Sequence, residues 1–383
     1  MRWLIVAMIA VALSWVAARA WPRLTLVARV LDELRAPRAD SWLRRTTPTP
    51  REHEVTLEAN GIRLVADVYR PPAPARAHPL LFIPGAVPEG KDEPRVPPFA
   101  RLLARAGFTV VVPDLTSLRA LRVHPDNEIE LGAALEAVAA NRELAPNGTA
   151  GLFGVSYAGG LALLVALDPA HAARVKFVAT VGAYADLDTA LHFLATGRTL
   201  WRGRPHVVTP APYGRLVFLR TFEEFIVSIP DRERLAAMTR RRTADPVAPL
   251  GDLAAELGPE GRLLYDLFET ARPEQVPGMI ERLPPALRER MAVLSPARRN
   301  FKSLRARLYL VHARDDGTFP VSDMDRIAAL ARPYVPVHNV ALAALEHVDL
   351  EPWSRRPWEF LRRDLPEAWR LGSWWWALLG ELE

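Results

Sequence analysis

The stretch from Thr149 to Leu167 carries no charged side chain and constrains this chain more than any other segment. Thr149 to Phe153 (TAGLF) reads as a short strand with no polar face, and Leu161 to Leu167 (LALLVAL) as a helix apolar nearly all round. Both must be buried, so the segment belongs inside a layered α/β domain. Between them lies Gly154-Val155-Ser156-Tyr157-Ala158-Gly159-Gly160. Gly154, Ala158 and Gly159 are small enough for a tight strand-to-helix turn, which would push the Ser156 hydroxyl clear of the sheet. An ordinary Gly/Ser loop would look similar, so the reading depends on partners elsewhere.

Two later segments supply them. Arg307 to Val311 (RLYLV) is a short apolar strand that runs into His312-Ala313-Arg314-Asp315-Asp316-Gly317-Thr318-Phe319-Pro320. Pro336 to Leu342 (PVHNVAL) reads as a last strand, followed by Ala343-Ala344-Leu345-Glu346-His347-Val348-Asp349. With the serine turn, these segments resemble the α/β-hydrolase family, in which an acid and then a histidine follow the serine in chain order. The acid loop of that family commonly reads HGxxDxxVP. His312 and Pro320 match it, Ala313 and Phe319 depart mildly, and Asp316 falls on the catalytic aspartate. Asp315 is the neighbouring competitor, with a solvated turn carboxylate as its plain reading. His347 occupies the loop where the family keeps its general base. Of the nine histidines, six precede the acid loop, His338 sits inside a strand and His312 belongs to the loop pattern.

The resemblance implies an inserted cap and a Ser156, Asp316, His347 triad. A serine hydroxyl is a poor nucleophile until an imidazole takes its proton during attack. His347 would do that, with Asp316 holding the useful tautomer and stabilising the imidazolium. The family's oxyanion hole uses the backbone N–H after the nucleophile and one from the loop after the third strand. Here these are the N–H groups of Tyr157 and Ala86. Pro84-Gly85 stands where many relatives carry His-Gly.

The expected fold class is α/β, an α/β-hydrolase fold with a mostly parallel sheet, flanking helices and an inserted α-helical cap. Residues 54–59 and 62–70 around Asn60-Gly61 predict an antiparallel hairpin. Further strands are expected near 80–84, 109–114, 149–154, 174–181, 307–312 and 336–342, with helices at 97–106 and 127–142. About 125 residues separate the strands ending near Val181 and starting near Arg307, where a crossover needs on the order of 30. The surplus predicts the cap, with amphipathic runs at 214–228, 262–271 and 278–293. Such a lid favours substrates with an acyl or other hydrophobic part. The expected division is a signal peptide or membrane anchor at 1–22, a juxtamembrane linker or helix at 23–50, the hydrolase core at 51–185 and 301–383, and the cap at 186–300. Arg240-Arg241-Arg242 would meet an anionic ligand or form a solvated helix end.

Trp3 to Ala18 is an uncharged apolar run flanked by Arg2 and Arg19. As a helix its sixteen residues reach about 24 Å, against a hydrocarbon core of about 30 Å. Three readings stay open: a signal peptide cleaved near Ala18-Arg19-Ala20, an uncleaved anchor gaining length from Ala20 and Trp21, and a buried helix. Leu24, Val27, Leu31 and Leu34 share one helical face, which would lie on a bilayer or pack on the domain. Trp374-Trp375-Trp376 would touch the interface or close the domain. The arginines after the apolar run favour a cytoplasmic domain, whereas a signal peptide implies export, so the side of the membrane stays open.

The +5 net charge comes almost wholly from arginine, lysine occurring only at 91, 176 and 302. No zinc-finger spacing or basic-aromatic groove points to nucleic acid, and no cofactor or metal is expected. The absence of cysteine excludes disulfides and thiolate chemistry. The expected function is a serine hydrolase cleaving a carboxylic ester with a hydrophobic part, its substrate a small-molecule or lipid-like ester. Peptidase or amidase action and acyl transfer are alternatives on the same triad, and an inactive binding protein is an alternative of another class. The oligomeric state is not legible.

Overall fold

The computed structural model describes residues 20–35, 40–71, 77–245, 247–351, 353–354 and 356–383. The strands, in chain order, are β1 Arg51–Ala59, β2 Ile62–Arg70, β3 Pro79–Ile83, β4 Thr109–Pro113, β5 Ala150–Val155, β6 Val175–Val181, β7 Arg198–Trp201, β8 Arg204–Val207, β9 Arg307–Ala313, β10 Val337–Leu342, β11 Leu345–Glu346 and β12 Asp349–Leu350. Eight of them make one sheet in the order β1-β2-β4-β3-β5-β6-β9-β10. Only β2 runs antiparallel to its neighbours β1 and β4, and every pair from β4 to β10 is parallel. This is the strand order of the α/β-hydrolase fold.

Local chemistry explains the elements. Asn60 and Gly61 both take positive φ, 53° and 77°, and close a two-residue turn in which Ala59 pairs with Ile62. Such a turn matches the twist of the strands it joins. β4 is buried at every position, and β5 and β9 at nearly every one, because helices cover both faces of the sheet. The helix Pro125–Ala140 starts two residues earlier than expected, because His124 caps it and Pro125 fits its first turn.

Two apolar cores flank the sheet. One is built around the helix Tyr157–Leu167 and extends into the residues between β6 and β9. The other gathers the helix Val96–Ala106, the helix over 20–35 and the helix Leu365–Leu379. Trp374 and Trp375 are fully buried there, so these two indoles pack on the domain and offer no interfacial contact. The helix over 20–35 lies against the same element. A Cβ on Gly372 would meet Leu31 at 3.4 Å and Val27 at 3.7 Å. Its buried residues are Val27, Val30 and Glu33, while Leu24 of the expected stripe is half-exposed.

The apolar run at 3–18 lies outside the described residues, and so does most of the segment 1–22. Among the described residues no helix is long and apolar enough to cross a membrane.

The insertion between β6 and β9 differs from an all-helical cap, since it contains the hairpin of β7 and β8. It also holds an additional long helix, Ile229–Ala244. Five of its helices carry proline in the first turn, which cuts the segment into short pieces. Arg241 pairs with Asp252 at 2.8 Å and Arg242 with Glu269 at 3.0 Å. Two of the three arginines are thus engaged by the insertion's own carboxylates.

Candidate active site

Ser156 stands between β5 and the helix Tyr157–Leu167 with φ 56° and ψ −129°. This backbone conformation is costly for a non-glycine residue and persists only where the surroundings enforce it. The Ser156 N–H donates to Val181 O at 2.7 Å, tying the turn to β6. A Cβ on Gly154 would strike the Ala158 carbonyl, and one on Gly159 would come within 2.8 Å of the Ala183 Cβ. A Cβ on Gly160 would fall inside the Tyr184 ring. That ring cannot retreat: it stacks on Tyr157 at 5.3 Å, touches Phe319, and donates from its hydroxyl to Leu294 O at 2.8 Å. Gly160→Ala is therefore expected to cost about 1–3 kcal/mol, read as a lowered denaturant midpoint. An unchanged midpoint would refute the packing described.

His347 is delivered by a different device. β11 and β12 pair Glu346 with Asp349, leaving His347 and Val348 as a two-residue turn in which His347 takes φ 51°. Its Nε2 lies 2.8 Å from Ser156 Oγ, and its Nδ1 lies 2.8 Å from Asp316 Oδ2. Asp316 sits on the loop after β9. Its other oxygen accepts from the N–H groups of Thr318, at 2.7 Å, and Phe319, at 3.1 Å. Burial opposes the charge on Asp316, yet the neighbouring His347 and these donors hold its pKa below the usual carboxylate value. The sequence-predicted Ser156, Asp316 and His347 thus converge.

Asp315, by contrast, is exposed and pairs with His206 at 3.2 Å. His312 is buried beneath the loop, 3.0 Å from Phe319 O through Nε2, and burial lowers its pKa. Gly182, at φ 67°, leaves the space behind the pair. A Cβ there would stand 3.2 Å from the His347 ring and 3.3 Å from Asp316 Oδ2.

Of the residues expected to supply oxyanion donors, Tyr157 directly follows the serine and Ala86 lies on the loop after β3. Tyr157 is the first residue of its helix, so its N–H has no partner within the helix and lies at the positive end of the dipole. The loop after β3 comes alongside, where a Cβ on Gly85 would lie 3.4 Å from the Ser156 Cβ. The carbonyl of Ala86 accepts a hydrogen bond from Tyr213 Oη at 2.6 Å. Burial pushes the Tyr213 phenol up to about 12, keeping it a donor. Ala211 N–H donates to Gly317 O at 2.7 Å. The insertion therefore braces the acid loop and the loop after β3 together, and nothing in the sequence around Tyr213 marks it for this contact.

A buried carboxyl beneath the site also escaped the sequence reading. Asp323 is almost wholly buried, accepts from Ala185 N–H at 2.9 Å, and has its pKa pushed up by burial to about 7. Between the ordinary aspartate value near 3.9 and about 7 the folded chain binds more protons than the unfolded one. Stability should therefore fall as pH rises through that window, by up to about 4 kcal/mol, and level off above it. Asp323→Asn removes the titration and keeps an acceptor for Ala185. Urea midpoints at pH 5 and pH 8 should converge in the variant. Parallel pH profiles for the two proteins would contradict this.

Among the described residues no group of three or more histidine or carboxylate side chains could hold a metal ion.

No protein-family profile matches the chain. No curated protein sequence matches it either. Solved structures do match. A dienelactone hydrolase from Anabaena variabilis is 24% identical with a TM-score of 0.32, over 37% of this chain and 67% of its own. An acylaminoacyl peptidase from Pyrococcus horikoshii is 13% identical with a TM-score of 0.46, over 79% of this chain, which spans only 38% of the peptidase. Brefeldin A esterase, a bacterial homologue of human hormone sensitive lipase, is 16% identical with a TM-score of 0.48, over 94% of this chain and 84% of its own. At these levels of identity and superposition the likenesses add nothing to the fold already given by strand order.

Proposed function

We propose that the chain is a serine hydrolase that cleaves a carboxylic ester through an acyl-enzyme. The observation that carries this reading is the unbroken relay from Ser156 Oγ through His347 to Asp316, with both links at 2.8 Å. As the Ser156 oxygen bonds to the acyl carbon, His347 Nε2 takes its proton. The carbonyl oxygen becomes an oxyanion that accepts from the Tyr157 and Ala86 N–H groups. Collapse breaks the bond to the alcohol, which leaves with the proton from His347. Water then repeats the sequence on the acyl-enzyme, releasing the acid and restoring Ser156. Asp316 stays ionised throughout and holds the Nδ1 proton.

An ester with a hydrophobic part is favoured because an insertion that braces the loops around the serine suits a recessed, largely apolar pocket. Aryl esters of increasing acyl length, compared with the matching anilides, test the substrate class. Esters should be cleaved with the higher kcat/KM, rising with chain length beyond acetate. Preference for the anilides would overturn the ester reading. The place of action is proposed to be a membrane, on the strength of the apolar run from Trp3 to Ala18.

A further inference from the structure

The C-terminal helical segment carries a second apolar face that no part of the described fold covers. Trp358, Leu361, Leu365 and Trp369 recur at intervals of three, four and four residues, the spacing of one helical face. They span Pro357–Glu359, the π-helical turn Phe360–Asp364 and the start of Leu365–Leu379. All four are turned to solvent, at 72%, 54%, 46% and 78% exposure. The opposite face of the same element is sealed by Leu371, Trp374, Trp375 and Leu378. Outward tryptophans and leucines in such a row are not needed to hold the fold, and their contiguity marks an interaction surface.

Between residues 356 and 370 four exposed arginines stand against one exposed carboxylate, Glu359, which keeps 48% of its side chain exposed and pairs with Arg356. Arg356, Arg363 and Arg370 keep 82%, 58% and 44% of their side chains exposed. The carboxylates Asp364 and Glu367, which pair with two of them, are buried at 1% and 7%. Arg362 is exposed beside Leu361 and Leu365. The face that meets solvent is therefore apolar, with a fringe in which exposed arginines outnumber exposed carboxylates. A second copy of the chain docking here through a two-fold axis would oppose mainly arginines to arginines, with Glu359 the one exposed carboxylate to offset them. Anionic lipid headgroups complement the same pattern, with tryptophan at the depth where its amphipathic ring is favoured.

The neighbouring helix points to the same partner. The helix over 20–35 packs beside Gly372 and exposes Trp21 and Leu24, and the apolar run from Trp3 to Ala18 precedes it in the sequence.

We propose that the face of Trp358, Leu361, Leu365 and Trp369 docks on the surface of an anionic lipid bilayer. This rests in part on the membrane reading above, and the test separates the two. Because the chain has no cysteine, Leu361→Cys and Leu365→Cys provide unique sites for an environment-sensitive fluorophore. Val227→Cys, on the exposed surface of the insertion, serves as the control. The full chain is mixed with vesicles of phosphatidylglycerol or of phosphatidylcholine, and flotation is measured in parallel. Labels at 361 and 365 should brighten and shift to the blue with phosphatidylglycerol, weaken in high salt, and stay silent at 227. Trp369→Ser combined with Leu365→Ser should lower partition by at least about tenfold.

Flotation with silent labels would overturn docking by this face while leaving the membrane reading intact. Neither flotation nor a label response would overturn both. An equal response to phosphatidylcholine would overturn the anionic preference. A concentration-dependent response without vesicles, accompanied by a dimer in sedimentation, would assign the face to a second copy and overturn the proposal.

Discussion

Ser156→Ala is expected to lower kcat on a good aryl ester by about 10⁶-fold, with KM changed little. The substitution removes the one oxygen that His347 Nε2 faces at 2.8 Å and leaves everything around it in place. Alanine carries the same Cβ, so the turn at φ 56° is no more strained than before, and the bond from residue 156 N–H to Val181 O remains. The melting temperature should therefore stay within a few degrees. His347→Ala should cost a comparable factor, and the double variant should be hardly worse than either alone, because the two side chains perform one step. Steady-state rates on all three proteins, with thermal melts alongside, provide the check. Residual activity within tenfold of the parent would show that another group attacks the ester.

Asp316→Asn is expected to cost about 10⁴-fold in kcat without unfolding the loop. One oxygen of Asp316 accepts from Thr318 and Phe319, and the other accepts from His347 Nδ1. An asparagine whose oxygen keeps the two loop donors must turn its NH₂ toward Nδ1. Nδ1 then becomes an acceptor, the ring carries its proton on Nε2, and it can no longer take the proton of Ser156. Asp315→Asn should leave the rate near that of the parent, since its carboxylate is exposed and pairs only with His206 among the polar contacts described. Equal losses in the two variants would mean that the loop's geometry matters and the identity of the acid does not.

Much of this was legible because the residues involved report on burial. Strands covered on both faces must be largely apolar runs, so β4, β5 and β9 stand out, as does β6 apart from its exposed Lys176, and each begins within a residue of its expected start. Asp316 was set apart from Asp315 by the register between His312 and Pro320, and the structure buries the first and exposes the second. The hairpin of β7 and β8 was not legible, because its four-residue strands RTLW and RPHV show no apolar alternation and remain largely exposed. Tyr213 was missed because its contact spans 127 positions and leaves no local pattern. Asp323 looks like a solvent-facing acid in an amphipathic helix, and only the tertiary fold buries it under Ala185. The row from Trp358 to Trp369 went unread for the opposite reason: an apolar helical face signals burial, and here that face is turned outward.

The central claim is that Ser156 is an activated nucleophile. Treating the folded chain with a fluorophosphonate and mapping the adduct by peptide mass spectrometry tests it most directly. The expected result is about one phosphonyl group per chain, carried on Ser156, absent from Ser156→Ala and strongly reduced in His347→Ala. An unlabelled chain with a normal melting transition, or an adduct on any other side chain, would contradict it.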